Sequence, residues 1–388
     1  MRKIYLHPTL LVILVWSAVY YAYSLRWSQL QSISISEANG FIALIFFVFV
    51  ITTIFHCLIY YTVGKTKKKY ANSNNLSLPS LNLGCWYCIW MIITIIEIIY
   101  SKGFPLIWLL TGSEKTYFDF GIPSIHGLAN GLISGLSLIS FFIFLKTGRN
   151  SYLYLSLLII PWGVIAVTRQ IIIVNLTQFV VVYFAFRPPR IASIFFFIVI
   201  TSLFLIAFGW LGDIRTGADK FISLAMPSEK YPDFLPTGTL WVYIYAVTPL
   251  MNLLNTFGAS SGYKSWFFGN TISPLFPSIL RSIIFDTSKI EKGDVITEAF
   301  NVSTAFVDPF VDNGYFGLLL FLLLISIITH HYWRKTSIKG VLYYTIIAQC
   351  LILTIFYNHF FSLPVISQIL WIAIIIKKKH TTIQPVCK

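Results

Sequence analysis

The chain has 388 residues, of which 57% are hydrophobic and only 11% charged, and its formal net charge is +14. Soluble domains are about 45–50% apolar and about 25% charged, so the composition excludes an ordinary soluble protein. The five cysteines indicate no disulfide framework, and Cys85 and Cys88 lack the second pair that a zinc site would need. We therefore expect an all-α polytopic membrane protein, with residues 1–388 forming a single integral membrane domain.

Ten apolar segments are long enough to cross the bilayer core, which takes about 20 residues. In chain order they are 4–23, 41–63, 84–101, 122–146, 151–168, 171–187, 191–212, 315–332, 339–358 and 363–377. A further apolar stretch, 239–257, contains Pro249, Asn252 and Asn255 and has polar surroundings. We expect this stretch to be a re-entrant or surface-lying helical segment rather than a span.

Basic residues predict the orientation of the chain in the membrane. If the N-terminus is cytoplasmic and 239–257 does not cross, the basic clusters at 65–69, 334–339 and 377–379 all lie in the cytoplasm, and the short cytoplasmic loops contain no Asp or Glu. Both termini are then cytoplasmic. The positive charge faces anionic membrane lipids, and we expect no nucleic-acid partner.

The same topology leaves one long external segment, a large loop over 213–314. Loops of this length in compact proteins are usually functional. The loop is rich in aromatic side chains, Tyr243 among them, and these suit either the lipid headgroup level or stacking on sugar rings. The sequence leaves both readings open.

Charged side chains near the outer ends of the spans are the main candidates for a functional site. His126 begins the fourth span, Arg169 ends the fifth, and Asp213 and Arg215 follow the seventh in the stretch "GWLGDIRTGADK". The predicted topology places all four at one depth, the outer interface. Arg281 lies in an apolar part of the long loop and is expected to return to the same interface. Burying charge at such positions is costly, which favours a functional role.

Arginines at this depth suit a lipid-linked diphosphate, because guanidinium binds phosphate oxygens bidentately and stays charged. We therefore expect Arg169, Arg215 and Arg281 to bind the diphosphate. The alternatives are that Arg169 is a snorkelling anchor, that Arg215 pairs with a neighbouring aspartate, and that Arg281 is a surface residue of the loop.

A proton acceptor is also expected, and His126 and Asp213 are the two candidates. His359, in the short external turn "YNHFFSLP", is a further candidate for substrate binding, while Glu97 within the third span is interpreted as a helix-packing or pairing residue. No D-x-D motif occurs in the external loops, and the first of them has Glu37 as its one carboxylate. We therefore expect no metal and no cofactor.

Four stretches carry a resemblance to a known family. They are "KGFPLIW" with "YFDFGIPSIHGLANGL" at 102–132, "VTRQIIIVNLTQFVVVY" at 167–183, "GWLGDIRTG" with "TLWVYIYAVTPLMNLLN" at 209–255, and "VDPFVDNGYFGLLLFLL" at 307–323. Their order and the large external loop resemble bacterial O-antigen polymerases, the Wzy-type polymerases of oligosaccharide repeat units. The R-x10-G motif described for some members does not start at Arg169, Arg215 or Arg281.

The resemblance implies a glycosyltransferase that works at the periplasmic face without metal or nucleotide sugar. It would move the growing glycan from undecaprenyl diphosphate onto the next undecaprenyl-diphosphate-linked repeat unit, with a flippase and a chain-length regulator as partners. The family's periplasmic arginines match Arg169 and Arg215, and Arg281 less securely. Asn252, Asp312 and Gly314 correspond to motif positions, and Tyr243 and Asn252 are expected along the glycan groove.

Two other functions remain open. An O-antigen ligase, or another lipid-linked glycan transferase, would use arginines in the same way but transfer finished polymer. A polysaccharide flippase or secondary transporter should instead place polar or broken-helix features near the membrane midplane, often in two repeated halves. The spans read as mostly plain apolar segments and no repeat is visible, which favours the transferase.

Overall fold

The computed structural model describes residues 4–63, 81–193, 217–259, 268–285 and 293–376, together with residues 195, 196, 199 and 209. Over these residues the chain is helical and forms no β-strand, apart from an isolated bridge between Ser28 and Pro227. The α-helices are α1 (Pro8–Ser24), α2 (Ile35–Val63), α3 (Leu83–Ser101), α4 (Pro105–Thr111), α5 (Ile125–Thr147), α6 (Asn150–Leu157), α7 (Ile159–Ile165), α8 (Arg169–Phe186), α9 (Ala218–Ala225), α10 (Thr237–Gly258), α11 (Gly269–Ile272), α12 (Ser278–Ile284), α13 (Val307–Trp333), α14 (Ile338–Ile352) and α15 (Leu363–Ile375).

Six apolar helical stretches within the described residues are long enough to cross a membrane. They are Ile35–Ile59, Leu83–Thr111, Ile125–Thr147, Arg169–Phe186, Val307–Trp333 and Ile338–Ile355. Three shorter apolar helices, Pro8–Ser24, Asn150–Ile165 and Leu363–Ile375, coincide with three further predicted spans. The all-α class is therefore confirmed, whereas the count of ten spans stays a prediction. The predicted span 191–212 falls mostly outside the described residues.

The ambiguous stretch 239–257 forms one continuous helix, α10, with Pro249 inside it. It is not among the helices of spanning length and hydropathy in the described part of the chain. Its Phe257 ring packs on Phe41 in the first turns of α2, with ring centroids 5.7 Å apart, and on Phe310 in α13 at 4.5 Å. The helix therefore lies against the ends of other helices, and its depth in a membrane remains a prediction.

Helices α5 and α15 pack very closely through glycines spaced four residues apart on α5. A Cβ at Gly131 would lie 1.8 Å from Ser367 Oγ and 2.7 Å from Pro364 O, so only glycine fits there. The Ser367 hydroxyl donates to Gly127 O at 3.3 Å across the same contact. Small residues let helix backbones approach in this way where lipid provides no hydrophobic driving force. The contact places the start of α15 beside the start of α5.

A group of amide side chains lies buried between the middles of α5, α8, α14 and α15. Gln178 Nε2 donates to Gln349 Oε1 at 3.2 Å and to Gln368 Oε1 at 3.1 Å, and Gln368 Nε2 donates back to Gln178 Oε1 at 2.8 Å. Asn175 Nδ2 donates to Ser134 Oγ at 3.1 Å. The expectation of plainly apolar spans is therefore wrong for this part of the core.

Candidate functional site

A carboxylate and an imidazole from two helices meet at one end of the bundle. Glu97, on the last turns of α3, is fully buried, and its Oε2 lies 3.1 Å from Nδ1 of His126, on the first turn of α5. The other carboxylate oxygen accepts a hydrogen bond from the Ile122 backbone N–H at 3.3 Å. The His126 side chain keeps 26% of its surface exposed. The interpretation of Glu97 as a pairing residue agrees with this geometry, and its partner is the predicted base.

The second nitrogen of His126 also has a partner. Asn130, one helical turn further along α5, places Nδ2 2.9 Å from His126 Nε2. The Asn130 Oδ1 in turn accepts a hydrogen bond from the indole Nε1 of Trp162 on α7 at 3.1 Å. Three helices thus hold one imidazole ring, so its orientation is defined by the packing of α3, α5 and α7.

The segment before α5 forms the wall of the site. Gly121 has φ +91°, and a Cβ there would lie 2.7 Å from His126 Cγ and 2.8 Å from Nδ1. The buried Phe120 ring meets the imidazole edge-on, with ring centroids 5.3 Å apart. Glycine at 121 is therefore required both by the backbone conformation and by the position of the ring.

Arg281 lies on α12, which contacts the same end of α5. Ser124 and Ser278 share a hydrogen bond of 3.1 Å between their hydroxyl oxygens, which joins the start of α5 to the start of α12. One turn later, Arg281 donates from Nε to Ser273 O at 3.0 Å and from Nη2 to Phe276 O at 3.5 Å. These backbone bonds hold the guanidinium, while Nη1 donates to no described residue. His126 and Arg281 therefore lie near the joined starts of two helices, and their shared depth in a membrane stays a prediction.

Two residues in uncommon backbone conformations precede the predicted site residues. Ser124, two residues before His126, has φ 74° and ψ −44°. Val167, two residues before Arg169, has φ 52°, which is an outlier for a β-branched residue. Such conformations cost about 1–3 kcal/mol each and cluster at functional sites. Arg169 itself is half-buried at the first residue of α8.

The turn between α14 and α15 holds a further polar group. His359 is 4% exposed, and burial lowers its pKa to about 4. Burial and the Asp308 carboxylate raise the pKa of Tyr357, while Arg281 opposes that shift, so these charged groups lie within electrostatic range of the Tyr357 hydroxyl. Neither polar side-chain atom of Asn358 has a hydrogen-bond partner among the described residues, although Asn358 is only 1% exposed.

Two predicted substrate-binding residues are used to hold the fold. Tyr243 is buried, its hydroxyl donates to the Gln31 side chain and accepts from Trp27 N at 2.9 Å, and burial raises its pKa to about 12. Asn252 is fully buried and donates from Nδ2 to Phe300 O and Val302 O, each at 2.8 Å. These contacts join α10 to the chain segments beside it, and the glycan-binding role of both residues stays a prediction.

The remaining predicted residues fall into two groups. Asp213 and Arg215 lie outside the described residues, so their roles stay predictions. Asp312, a motif position with no assigned role, is fully buried and anchors the start of α11. Its carboxylate accepts four hydrogen bonds of 2.6–2.9 Å from the backbone and side chains of Asn270 and Thr271.

Sequence reasoning missed Asn130 and Trp162 as members of this site, and it missed Asn358 as a buried amide without a described partner in the turn after α14. Asn130 carried a usable signal, because it lies four residues after His126 in "HGLAN" and such a pair shares a helix face. Trp162 and Asn358 gave none, since their positions depend on how α7 and the turn after α14 pack. Scans of the chain against protein-family models, curated proteins and solved structures each found no match.

Proposed function

We propose that the chain is a metal-independent glycosyltransferase that polymerises undecaprenyl-diphosphate-linked oligosaccharide repeat units. The product would be O-antigen or a related surface polysaccharide, made at the periplasmic face of the bacterial inner membrane. One observation supports the proposal above the others. The imidazole of His126 is held by the Glu97 carboxylate near the start of α5, and a hydroxyl pair joins that start to α12, the helix that carries Arg281. A hydroxyl that attacks a sugar diphosphate needs a base to take its proton and a cation to stabilise the leaving diphosphate, and His126 and Arg281 are the two types of residue required.

The roles follow from the chemistry of each side chain. His126 takes the proton from a hydroxyl of the acceptor repeat unit, and that oxygen attacks the anomeric carbon of the donor. The bond from the anomeric carbon to the diphosphate oxygen breaks, and the lipid diphosphate leaves with the electron pair. Arg281 and Arg169, with Arg215 from outside the described residues, stabilise the charge on the leaving diphosphate. Asp213 remains the alternative base.

The O-antigen ligase is a second candidate that shares this chemistry, because it differs only in the acceptor. A secondary transporter is favoured by a different observation, the buried amide group around Gln178, since polar residues inside spans often mark a substrate path. A flippase or other transporter, however, has no need of an imidazole held by Glu97 at one end of the bundle.

The test is a gel of surface polysaccharide from cells in which the gene is deleted and then complemented. A ladder that collapses to core plus one repeat unit on deletion, and returns with the wild-type chain, supports a polymerase. Core with no repeat unit indicates a ligase or a flippase, and an unchanged ladder refutes the proposal. His126→Gln should fail to restore the ladder at equal membrane abundance. His331→Gln is the matched control and should restore the ladder, because His331 is exposed near the last residues of α13, at the opposite end of that helix from Asp312.

A further inference from the structure

An unbroken chain of hydrogen bonds runs from Trp162 through Asn130 and His126 to Glu97. An indole N–H is only a donor, so the Asn130 oxygen must be the atom that faces Trp162, at 3.1 Å. The Asn130 amide nitrogen, also only a donor, must then face His126 Nε2, at 2.9 Å. Nε2 therefore carries the lone pair, and the hydrogen of the neutral ring is on Nδ1.

The other end of the chain requires the same tautomer. The Glu97 carboxylate is an acceptor, and it faces Nδ1 at 3.1 Å while it also accepts from the Ile122 backbone N–H. A hydrogen on Nε2 would instead point at the N–H group of Asn130, and a lone pair on Nδ1 would point at the carboxylate. Both contacts would be repulsive, so the two ends of the chain exclude the second tautomer independently.

We propose that Glu97, Asn130 and Trp162 are positioning residues that hold His126 in the Nδ1–H tautomer and make Nε2 the proton acceptor for the sugar hydroxyl. The reaction step in this proposal rests on the proposed function. The acceptor hydroxyl takes the place of the Asn130 N–H at Nε2 and gives its proton to that nitrogen.

The electron pair of the hydroxyl oxygen then forms the bond to the anomeric carbon, while the bond to the lipid diphosphate breaks. The positive charge on His126 is balanced by Glu97, because Nδ1–H still donates to the carboxylate. The proton on Nε2 leaves to water, which reaches the ring because 26% of the side chain is exposed. The ring returns to the starting tautomer as Asn130 again donates to Nε2.

Three variants separate this role from simple packing. Asn130→Asp replaces the donor at Nε2 by an acceptor, so it should protonate both ring nitrogens and lower polymer formation by about 100-fold. The acid limb of the activity profile should also move to higher pH, because the added carboxylate favours the imidazolium. Trp162→Phe removes the N–H that orients Asn130 and should lower polymer formation roughly 3- to 10-fold.

Trp90→Phe is the matched control. Trp90 packs edge-on against Trp162 with ring centroids 5.4 Å apart, but its Nε1 has no hydrogen-bond partner among the described residues. Trp90→Phe and Trp162→Phe each remove one indole N–H from this pair of packed rings. Trp90→Phe should therefore leave polymer formation and the histidine tautomer unchanged.

The direct measurement is ¹⁵N NMR of the full chain in lipid nanodiscs, with ¹⁵N in the histidine rings and His126→Gln to assign the signals. The wild type should show a protonated Nδ1 and an unprotonated Nε2 for His126. Trp162→Phe should show a mixture of tautomers, and Asn130→Asp a doubly protonated ring. Polymer formation and its pH profile are measured in parallel with spheroplasts, in which buffer reaches the periplasmic face of the inner membrane.

The outcomes distinguish this proposal from the proposed function. A protonated Nε2 in the wild type overturns the positioning proposal whatever the polysaccharide gel shows. Equal activity of Asn130→Asp and the wild type overturns the catalytic role of the tautomer. A polysaccharide ladder that stays unchanged when the gene is deleted overturns the polymerase, and it leaves the NMR result for the hydrogen-bond chain standing.

Discussion

Gly121→Ala is the most informative single change outside the hydrogen-bonded residues. The new Cβ would lie 2.7 Å from His126 Cγ, whereas ordinary van der Waals contact begins at 3.4 Å. The ring must therefore shift by roughly 0.7 Å, and a shift of that size along the 3.1 Å bond between Nδ1 and Glu97 would take it out of hydrogen-bond range. A misplacement of this size at a reacting group costs up to about 100-fold in rate.

Gly112→Ala provides the matched control, because both glycines have positive φ but only Gly121 has no room for a Cβ atom. Gly112 has φ +66° and nothing within 4 Å of an added Cβ. Both substitutions place an L-residue at positive φ, at a cost of about 1–2 kcal/mol in the free energy of unfolding. Only Gly121→Ala adds overpacking, at a further cost of about 1–3 kcal/mol.

Two assays follow. Denaturant unfolding in nanodiscs gives the free energy of unfolding of each variant, and the polysaccharide ladder gives its activity at matched membrane abundance. We expect Gly112→Ala to restore the ladder and Gly121→Ala to lose at least about nine-tenths of the polymer. If Gly121→Ala restores the full ladder, the position of the His126 ring does not matter for function and the reasoning is refuted.

Three further predictions concern stability. Burial lowers the pKa of His359 from 6.5 to about 4, so the unfolded chain binds the extra proton first as the pH falls. The contribution of neutral His359 to the free energy of unfolding should be fully present above about pH 6.5 and should fall by about 3 kcal/mol as the pH drops to about 4. In denaturant titrations, His359→Gln should flatten this pH dependence. Asn252→Ala leaves three backbone groups without their partner, so it should cost about 2–4 kcal/mol. Asn255→Ala, on the same helix and half-exposed, should cost less than about 1 kcal/mol. Equal costs would contradict the stabilising role assigned to the hydrogen bonds of Asn252. Asp312→Asn replaces a carboxylate that accepts four hydrogen bonds, so limited proteolysis should cut the chain around α11 faster than in the wild type, and an unchanged cleavage rate would show that α11 is held by other contacts.

The helices themselves were predictable because apolar runs determine them locally. Nine of the ten predicted spans coincide with apolar helices, and 239–257 is helical as expected. Helix length was less predictable: residues 151–168 form the two short helices α6 and α7, followed by Val167 at positive φ. A run of apolar residues does not record where a helix breaks, since the break depends on how the flanking helices pack.

The contacts of the site were not predictable from the sequence, and the depth of its residues in a membrane stays a prediction. The distribution of Lys and Arg predicts the outer interface for His126, and the apolar surroundings of Arg281 predict the same for that residue. The hydroxyl pair that joins their helices spans 154 residues and gives no signal in the sequence. Glu97 was identified as a pairing residue without its partner, because the partner depends on the rotation of α3 against α5. The contacts of Asn252 were not predictable: a polar residue in an apolar helix does not show its partners, and its hydrogen bonds run to two backbone carbonyls and one backbone N–H of a distant segment.

The way the segment that carries Arg281 is attached has a mechanical consequence. The start of α11 is held to α13 by four hydrogen bonds to the Asp312 carboxylate, while the hydrogen bonds of Arg281 to described residues run to carbonyls of its own segment. Against α5 the segment is fastened by a hydroxyl pair worth about 0.5–1.5 kcal/mol. The contact between α5 and α15, in contrast, is packed so closely at Gly131 that it has no room for a Cβ atom. A force that pulls this segment away from the bundle is therefore expected to break the single hydroxyl pair to α5 before the four hydrogen bonds to Asp312.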